Sequence, residues 1–471
     1  MTLSAAASLL NNYVAQQHTN STSPLRGEGW GEGVQLAPAY LQGADVTFTS
    51  VSNDTRTLTA GALYVAIHGE NFDGHAFLDQ AQHAGAIAAM VDQVCDHPLP
   101  QLVCGNTRLG LGKLAAGWRQ QFKGRVVGIT GSNGKTTVKE MLAAILAKQG
   151  AVLATRGNYN NDIGLPLTLL RLKKENFAVI EMGANHLGEI ETLTHIARPD
   201  VAVITNAGQA HLEGFGSLEG VSRAKGEIYA GLNVGGVAVI NADDVFAPYW
   251  FSINEKRRCL SFGLTHRADV QGVWQPTGTG SALRVSTPEG HTVVQLPVPG
   301  RHNAMNALAA IAASTALGIS LDTAGVALAE FAPVKGRLNF HRTPQGACLI
   351  DDTYNANPSS FSVGLQVLVE LPGEHWLVMG DMGELGDNSL DLHTTVGEQA
   401  KQSGVHCLLA VGENSRAAVT AFGKGARYFS SHEALIAALL TELKAGVNVL
   451  VKGSRFMRLE RVVNALIGDS A

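Results

Sequence analysis

The stretch GITGSNGKTT, Gly128–Thr137, sets three glycines, a lysine and three threonines between an apolar run and a helical one. Glycines let a chain turn successive N–H groups inward, and a following helix adds the positive end of its dipole. Such a loop cradles phosphate. Lys135 is placed to reach β- and γ-phosphates, and the Thr136 hydroxyl to ligate Mg²⁺. The strict pattern G-x-x-x-x-G-K-[ST] asks for a glycine five residues before Gly134, where Ile129 stands. The strand–loop–helix setting still makes this a nucleoside triphosphate site. What receives the terminal phosphoryl group is not written in the loop.

Other polar residues close apolar runs. FAVIEMGANHLGEIE carries Glu181, VAVITNAGQAHLEGFGS carries Asn206 and His211, and ACLIDDTYNANP carries Asp351 and Asp352. In a doubly wound sheet, ligands sit beyond the carboxyl ends of strands. Glu181 and His211 with Thr136 make a candidate hard-cation site, although imidazole is an unusual ligand for Mg²⁺. The alternative is ordinary: strand-end carboxylates cap helices, and a lone histidine is structural. In GRHNAMNALAA, Asn303 and Asn306 lie three apart at a helix start. Their amides suit the adenine edge, or serve as an N-cap and a solvent-facing residue. Spacing leaves both readings open.

Three sets of elements must position these groups. TFTSVSNDTRTLTAGALYVAIHG, then HAFLDQAQHAGA, AIAAMV and QLVC, read as a small α/β unit ending near residue 104. From RVVGIT onward, buried-strand runs (FAVIEMG, VAVITN, GVAVIN) alternate with helical patterns such as KTTVKEMLAAILAKQ. That alternation predicts a parallel sheet covered on both faces. After about residue 333, ACLIDD, HWLVMGD, HCLLAVG and VNVLVKG repeat the arrangement. The expectation is an α/β protein of three domains, 1–104, 105–332 and 333–471, with ligands in the clefts between them. Residues 18–38, HTNSTSPLRGEGWGEGVQLAP, are rich in Gly, Ser, Thr, Pro and charge, and read as a mobile insertion.

A chain of 471 residues with 45% hydrophobic residues has ample core material, and a net charge of −5 gives no footprint for nucleic acid. The five scattered cysteines form no C-x-x-C and read as buried free thiols of a reducing cytosol. The N-terminus has no Lys or Arg ahead of its apolar stretch, so no signal peptide is expected. ALAAIAASTALGISL is short and follows two asparagines, which predicts a buried helix rather than a membrane span.

Taken together and in order, GITGSNGKTTVKEM, NYNNDIGLPLTLL, EMGANHLGEI, HLEGFGSLEGVSRAKGEI, GRHNAMNALAA, DDTYNANP, GDMGELG and KGSRFMRLE resemble the Mur ligase family of bacterial cell-wall synthesis. The match runs from DTRTLTAGALYVAIHGENFDGHAF to the last motif, leaves 18–38 without a counterpart, and favours the members that add D-alanyl-D-alanine. That family's loop also departs from the strict pattern at Ile129. The resemblance implies a small α/β N-terminal domain, a central P-loop-type doubly wound sheet and a Rossmann-like C-terminal domain. It implies a cytoplasmic, ATP- and Mg²⁺-dependent amide ligase, a monomer, joining D-Ala-D-Ala to UDP-MurNAc-tripeptide through an acyl phosphate. ATP would lie against Gly131, Ser132, Asn133, Gly134, Lys135, Thr136 and Thr137, with Asn303 and Asn306 near adenine, Arg337 on phosphate and Asp351 on ribose. Thr136, Glu181, His211 and Lys225 would hold metal, with Lys225 carbamylated by CO₂. Lys135, Lys225, His211 and Arg337 would be catalytic. Ser52, Thr55, Arg56, Asp73 and His75, within or beside the GENFDGH turn, would meet the nucleotide of the UDP-sugar. Asn160, Asn161, Tyr354, Asn355 and Asn357 would meet the remaining substrate. Without the resemblance, Lys225 reads as an ordinary helix lysine near Glu227. A folylpolyglutamate synthase or another Mur ligase would share this build and differ in its amine acceptor, and a nucleotide-driven binding switch would form no covalent product.

Overall fold

The runs Arg125–Thr130, Phe177–Glu181, Val201–Ile204 and Val237–Asn241 are apolar at nearly every position because both of their faces are covered. Val127, Ile129, Val179, Val201, Val203, Val237 and Val239 point to one side, against Val138, Met141, Leu142, Ile145 and Leu146 of the helix Lys135–Ala147. Val126, Ala178, Ile180, Ala202, Ile204, Ala238 and Ile240 point to the other, against Ile190, Leu193, Ala224 and Trp250. The alternation is that of any strand. What differs is that each fully buried Val or Ile stabilises by about 1.5–3 kcal/mol on either face.

The computed structural model describes residues 1–19, 38–69, 72–208, 212–277 and 280–468. Nearly all of the expected insertion, two residues of the GENFDGH turn and His211 therefore lie outside the described residues. The first sheet has the order β1-β5-β4-β3-β2, from Tyr40–Gln42 (β1), Ser50–Ser52 (β2), Ala62–Val65 (β3), Ala86–Val91 (β4) and Gln101–Val103 (β5). The central sheet comprises Arg125–Thr130 (β6), Val152–Ala154 (β7), Phe177–Glu181 (β8), Val201–Ile204 (β9), Val237–Asn241 (β10), Arg258–Gly263 (β11), Val270–Thr277 (β12), Gly280–Thr287 (β13) and Gly290–Leu296 (β14). Its order is β14-β13-β12-β11-β10-β9-β6-β8-β7. The strands bearing the candidate residues are parallel, as the sequence predicts. Beyond β12 the sheet adds an antiparallel meander that the sequence reading did not contain. Burial alternates along β13, since an antiparallel sheet can leave one face to water.

The last sheet comprises Asn339–Arg342 (β15), Cys348–Asp352 (β16), Glu374–Gly380 (β17), Cys407–Val411 (β18), Ala426–Phe429 (β19) and Val447–Lys452 (β20). Its order is β15-β16-β20-β17-β18-β19, parallel except for β15. Among the described residues no helix is long and apolar enough to cross a membrane. The alanine-rich run forms most of the buried helix Arg301–Ala316, packed against Lys135–Ala147. All five cysteines are free thiols, but only Cys104 is fully buried; the other four are half-buried, a correction to the sequence reading.

Asp352 and Lys452, the last residues of β16 and β20, stand side by side and are joined at 2.5 Å. The lysine amine also donates to the Asn355 carbonyl at 3.0 Å. Burial pulls the Lys452 pKa down, and the Asp352 charge opposes it. Lys452→Met leaves a buried carboxylate without its counter-charge, so it is expected to cost about 3–5 kcal/mol in urea unfolding. An unchanged midpoint would refute this account of the pair.

Candidate active site

Strand β6 ends at Thr130 and the chain turns through Gly131 (φ 146°) and Gly134 (φ 81°) into the helix Lys135–Ala147. Both positions need glycine for a second reason. A Cβ on Gly131 would run into the Thr205 hydroxyl, and one on Gly134 into the Asn306 amide. Residues just past β9 staple the loop in place. Ser132 N donates to the Asn206 carbonyl and Asn133 N to Asn206 Oδ1, both at 3.0 Å, while Thr205 Oγ1 donates to the Asn133 carbonyl at 2.6 Å. Asn206 thus supports the loop. Thr137 is buried behind it. Gly134→Ala would combine backbone strain with a clash against Asn306. It should weaken ATP binding at least about tenfold, equivalent to about 1.4 kcal/mol, in a calorimetric titration; native affinity would refute the packing argument.

The Lys135 amine is turned into the loop, donating to the Gly131 carbonyl at 2.7 Å and that of Ser132 at 3.3 Å. Burial pulls its pKa down, Glu181 opposes this, and Arg337 adds to it. Thr136 Oγ1 donates to Glu181 Oε2 at 3.0 Å, and Asn160 Nδ2 to Glu181 Oε1 at 2.9 Å. Glu181, 3% exposed, is fixed further by its own N–H donating to Thr155 Oγ1. Lys139, one turn after Lys135, braces the same Thr155 through its carbonyl at 2.6 Å.

Arg337 reaches the loop from the far side: its guanidinium donates to Thr136 Oγ1 at 3.3 Å and lies 4.2 Å over the Tyr354 ring. Its Nε is buried and has no partner among the described residues. Asn133 Nδ2 donates to Ser359 Oγ at 2.8 Å, and Asn357 Nδ2 to Asn133 Oδ1 at 3.1 Å. Asn357 also caps the helix Pro358–Val369. Between these walls lies a cleft of about 1210 Å³. Lys135, Asn160, Asn161, Glu181, Lys225, Arg337, Tyr354 and Asn355 line it.

Lys225 lies in the helix Leu218–Gly226 and is 1% exposed, its amine 5.0 Å over the Phe215 ring. Among the described residues it makes no hydrogen bond or ion pair. Burial first, then the nearby Lys135 charge, pull its pKa down to about 7. Glu227 does not pair with it. That carboxylate accepts from the N–H groups of Gly188 (2.7 Å) and Glu191 (3.1 Å) at the start of Glu189–Ala197, and burial pushes it up to about 7.

Asn303 and Asn306 are both buried and the N-cap of their helix is Gly300, which removes the N-cap and solvent-facing alternative. They sit under the loop, bonded to each other at 3.3 Å. Asp351 is 2% exposed and accepts from Thr353 Oγ1 at 2.6 Å. Asn161 Oδ1 accepts from Gly164 N at 2.8 Å, just ahead of the helix Gly164–Leu169.

The N-terminal residues form a separate cluster that does not line the cleft. Ser52 Oγ donates to the Asp54 carbonyl, and Arg56 is held to the Asp54 carboxylate at 2.9 and 2.8 Å. Thr55 sits half-buried between them. His75 lies between Asp73 (2.6 Å) and Asp92 (3.0 Å). Burial pushes the Tyr64 hydroxyl up to about 12, the charges of Asp73 and Asp54 add to this, and the hydroxyl donates to the Gly74 carbonyl at 3.0 Å.

Thr136 and Glu181 supply hard oxygens within 3.0 Å of each other, a donor pair that suits Mg²⁺ completed by phosphate oxygens and water. Among the described residues no three His, Cys, Asp or Glu side chains form a ready metal cage. The sequence reading assigned nothing to Arg108, Glu384, Arg455, Arg458 or Glu460, which also line the cleft. GDMGELG and KGSRFMRLE marked four of these five, without saying which side chains face inward.

Residues 129–314 match the Mur ligase middle domain, 336–455 the Mur ligase glutamate ligase domain, and 47–106 the catalytic domain of the Mur ligase family. The chain is 48% identical over 431 residues to the UDP-N-acetylmuramoyl-tripeptide–D-alanyl-D-alanine ligase of Escherichia coli K12, covering 90% of this chain and 95% of that one. A crystal structure of MurF from Acinetobacter baumannii superposes with a TM-score of 0.84 at 38% identity, over 89% of this chain and 93% of that one. MurF from Thermotoga maritima in complex with ADP superposes with a TM-score of 0.80 at 30% identity, over 90% and 98%.

Proposed function

The chain belongs to the Mur ligase family, and from that premise we propose how its cleft makes an amide bond. The protein is an ATP-dependent ligase that joins D-alanyl-D-alanine to UDP-N-acetylmuramoyl-tripeptide in peptidoglycan synthesis. One observation carries the mechanism: the phosphate loop and the Thr136–Glu181 pair face Arg337 and Tyr354 across a single cleft.

The terminal carboxylate of the tripeptide attacks the γ-phosphorus of ATP, and the bond to the bridging oxygen of ADP breaks. The acyl phosphate is a far better acylating group than a carboxylate. The dipeptide amine then adds to its carbonyl, loses a proton and expels phosphate. Two anions must meet in the first step, and Lys135 and Arg337 offset their repulsion. The unused Arg337 Nε and the Lys135 amine, now held by loop carbonyls, supply donors for phosphate oxygens. Both walls must close on the acyl phosphate to keep water out, and the Asn133–Ser359 and Asn133–Asn357 bonds join them at the loop.

Thr136 and Glu181 would hold Mg²⁺, His211 being the further ligand that the family resemblance implies, and the ion would supply charge neutralisation on the phosphates. Lys225 would react as the neutral amine: its nitrogen forms a bond to CO₂ and releases a proton, leaving two anionic oxygens for a second Mg²⁺. A buried amine with no hydrogen-bond partner and a pKa near 7 supports that reading. Asn303, Asn306 and the loop residues Gly131–Thr137 would bound the adenosine triphosphate, with Asp351 toward the ribose. Asn160, Asn161, Tyr354, Asn355 and Asn357 flank the acceptor path. Ser52, Thr55, Arg56, Asp73 and His75 would take the uridine end of the substrate. In this reading the active species is a monomer and works in the cytoplasm. In the deciding experiment the enzyme receives ATP, UDP-MurNAc-tripeptide and D-Ala-D-Ala, and mass spectrometry follows the product. A gain of one dipeptide per turnover is expected; strict dependence on a different amine would overturn the reading.

A further inference from the structure

Six cationic side chains line the cleft, and five make a hydrogen bond, an ion pair or a ring contact among the described residues. Arg108 pairs with Asp162, Lys135 holds loop carbonyls, Lys225 lies over Phe215, Arg337 reaches Thr136 and Tyr354, and Arg455 pairs with Glu460 at 3.2 Å. The sixth is Arg458. Among the described residues its guanidinium makes no ion pair, hydrogen bond or ring contact.

The backbone beneath Arg458 is nonetheless firmly set. The residue has φ 50° and ψ 43°, a left-handed conformation that a side chain makes costly and that concentrates at functional sites. Its N–H donates to the Arg455 carbonyl at 3.2 Å, and its own carbonyl accepts from Arg461 N at 3.1 Å. The next residue, Leu459, is 0% exposed in the core, and Gly383 N donates to Ser454 Oγ at 2.8 Å at the start of the same turn. The structure therefore fixes where this guanidinium starts and gives it nothing to hold.

The reaction brings several anions to the cleft. The triphosphate and the attacking carboxylate belong with Lys135 and Arg337. Among those that do not react is the dipeptide's own C-terminal carboxylate. In an extended dipeptide it lies about 7 Å from the nucleophilic amine, so it needs a cation of its own away from the loop. A planar guanidinium fork matches a carboxylate in two parallel hydrogen bonds. Arg455 is already neutralised by Glu460. We propose that Arg458 binds the non-reacting carboxylate of the incoming D-alanyl-D-alanine and so selects a dipeptide acid as acceptor. This rests on the ligase reading above.

The test is steady-state kinetics of the full-length enzyme with ATP, Mg²⁺ and UDP-MurNAc-tripeptide, comparing D-Ala-D-Ala with its C-terminal amide. Arg458 is exposed, so Arg458→Gln and Arg458→Lys should fold normally. Arg458→Gln should raise KM for the dipeptide acid about 10- to 100-fold, leave KM for ATP and for the UDP-tripeptide unchanged, and abolish the preference for acid over amide. Arg458→Lys, which keeps charge without the fork, should recover part of the loss. An unchanged dipeptide KM in Arg458→Gln would overturn the proposal. So would a rise confined to the UDP-tripeptide, which would place an unreacting carboxylate of that substrate here instead. If the native enzyme does not use D-Ala-D-Ala at all, the ligase reading itself fails.

Discussion

Lys135→Ala removes turnover, lowering kcat by at least about 10³-fold, the scale seen when a fixed charge on a transferring phosphoryl group is lost. The amine now rests on the Gly131 and Ser132 carbonyls and can exchange them for phosphate oxygens without leaving the loop. No neighbour can replace it. Arg337 approaches from the opposite wall, where Thr136 and Tyr354 hold it, and cannot take the place of an amine inside the loop, and Lys225 lies over Phe215. Stability should change little. Burial holds the Lys135 pKa below its usual value, so the folded state disfavours this charge relative to the unfolded chain, and its removal offsets the lost hydrogen bonds. The measurement is ADP release and product mass beside a thermal unfolding curve. Ligation at the native rate would remove Lys135 from the mechanism; collapse of the fold would show that it only braces the loop.

Lys225→Ala is expected to lose about 10²–10⁴-fold in kcat and to regain part of it with acetate or formate, which restore anionic oxygens in the vacated space. The side chain is 1% exposed and unpaired among the described residues, so truncation removes a desolvated amine rather than a salt bridge, and the unfolding midpoint should hold or rise. Lys225→Arg should not be rescued, because guanidinium stays charged and fills the site. The intact mass of the native protein, taken without acid, should carry one added CO₂, absent in both variants. No rescue by any small acid, together with an unmodified lysine mass, would rule out carbamylation.

Much of this site lies close along the chain. Gly131, Gly134, Lys135 and Thr136 are within six residues, and a strand, a positive-φ turn and an amphipathic helix are local patterns. Glu181 and Asn206 were legible as polar ends of apolar runs, though not as the partner of Thr136 and the staple of Asn133. The antiparallel meander escaped because its strands alternate on one face and lack the continuous apolar signal of β6, β8 and β9.

By itself the sequence determined the phosphate loop, the alternation of parallel strands and helices, and, through its ordered motifs, the family chemistry. Backbone conformation and side-chain periodicity are set within a few residues, so those features are written where they act. Only the tertiary structure decided which polar groups meet. Arg337 reaches Thr136 across 201 residues, and Asn133 reaches Ser359 across 226. Lys225, flanked by Ala224 and Gly226, has the local sequence of an exposed helix lysine, and it is the packing of its helix into the sheet's core that strips water from the amine. Arg458 is the converse, an arginine that packing leaves at the edge of the cleft without a partner among the described residues. Desolvation and charge pairing depend on distances between segments far apart in the chain, and those distances exist only after the sheets have packed.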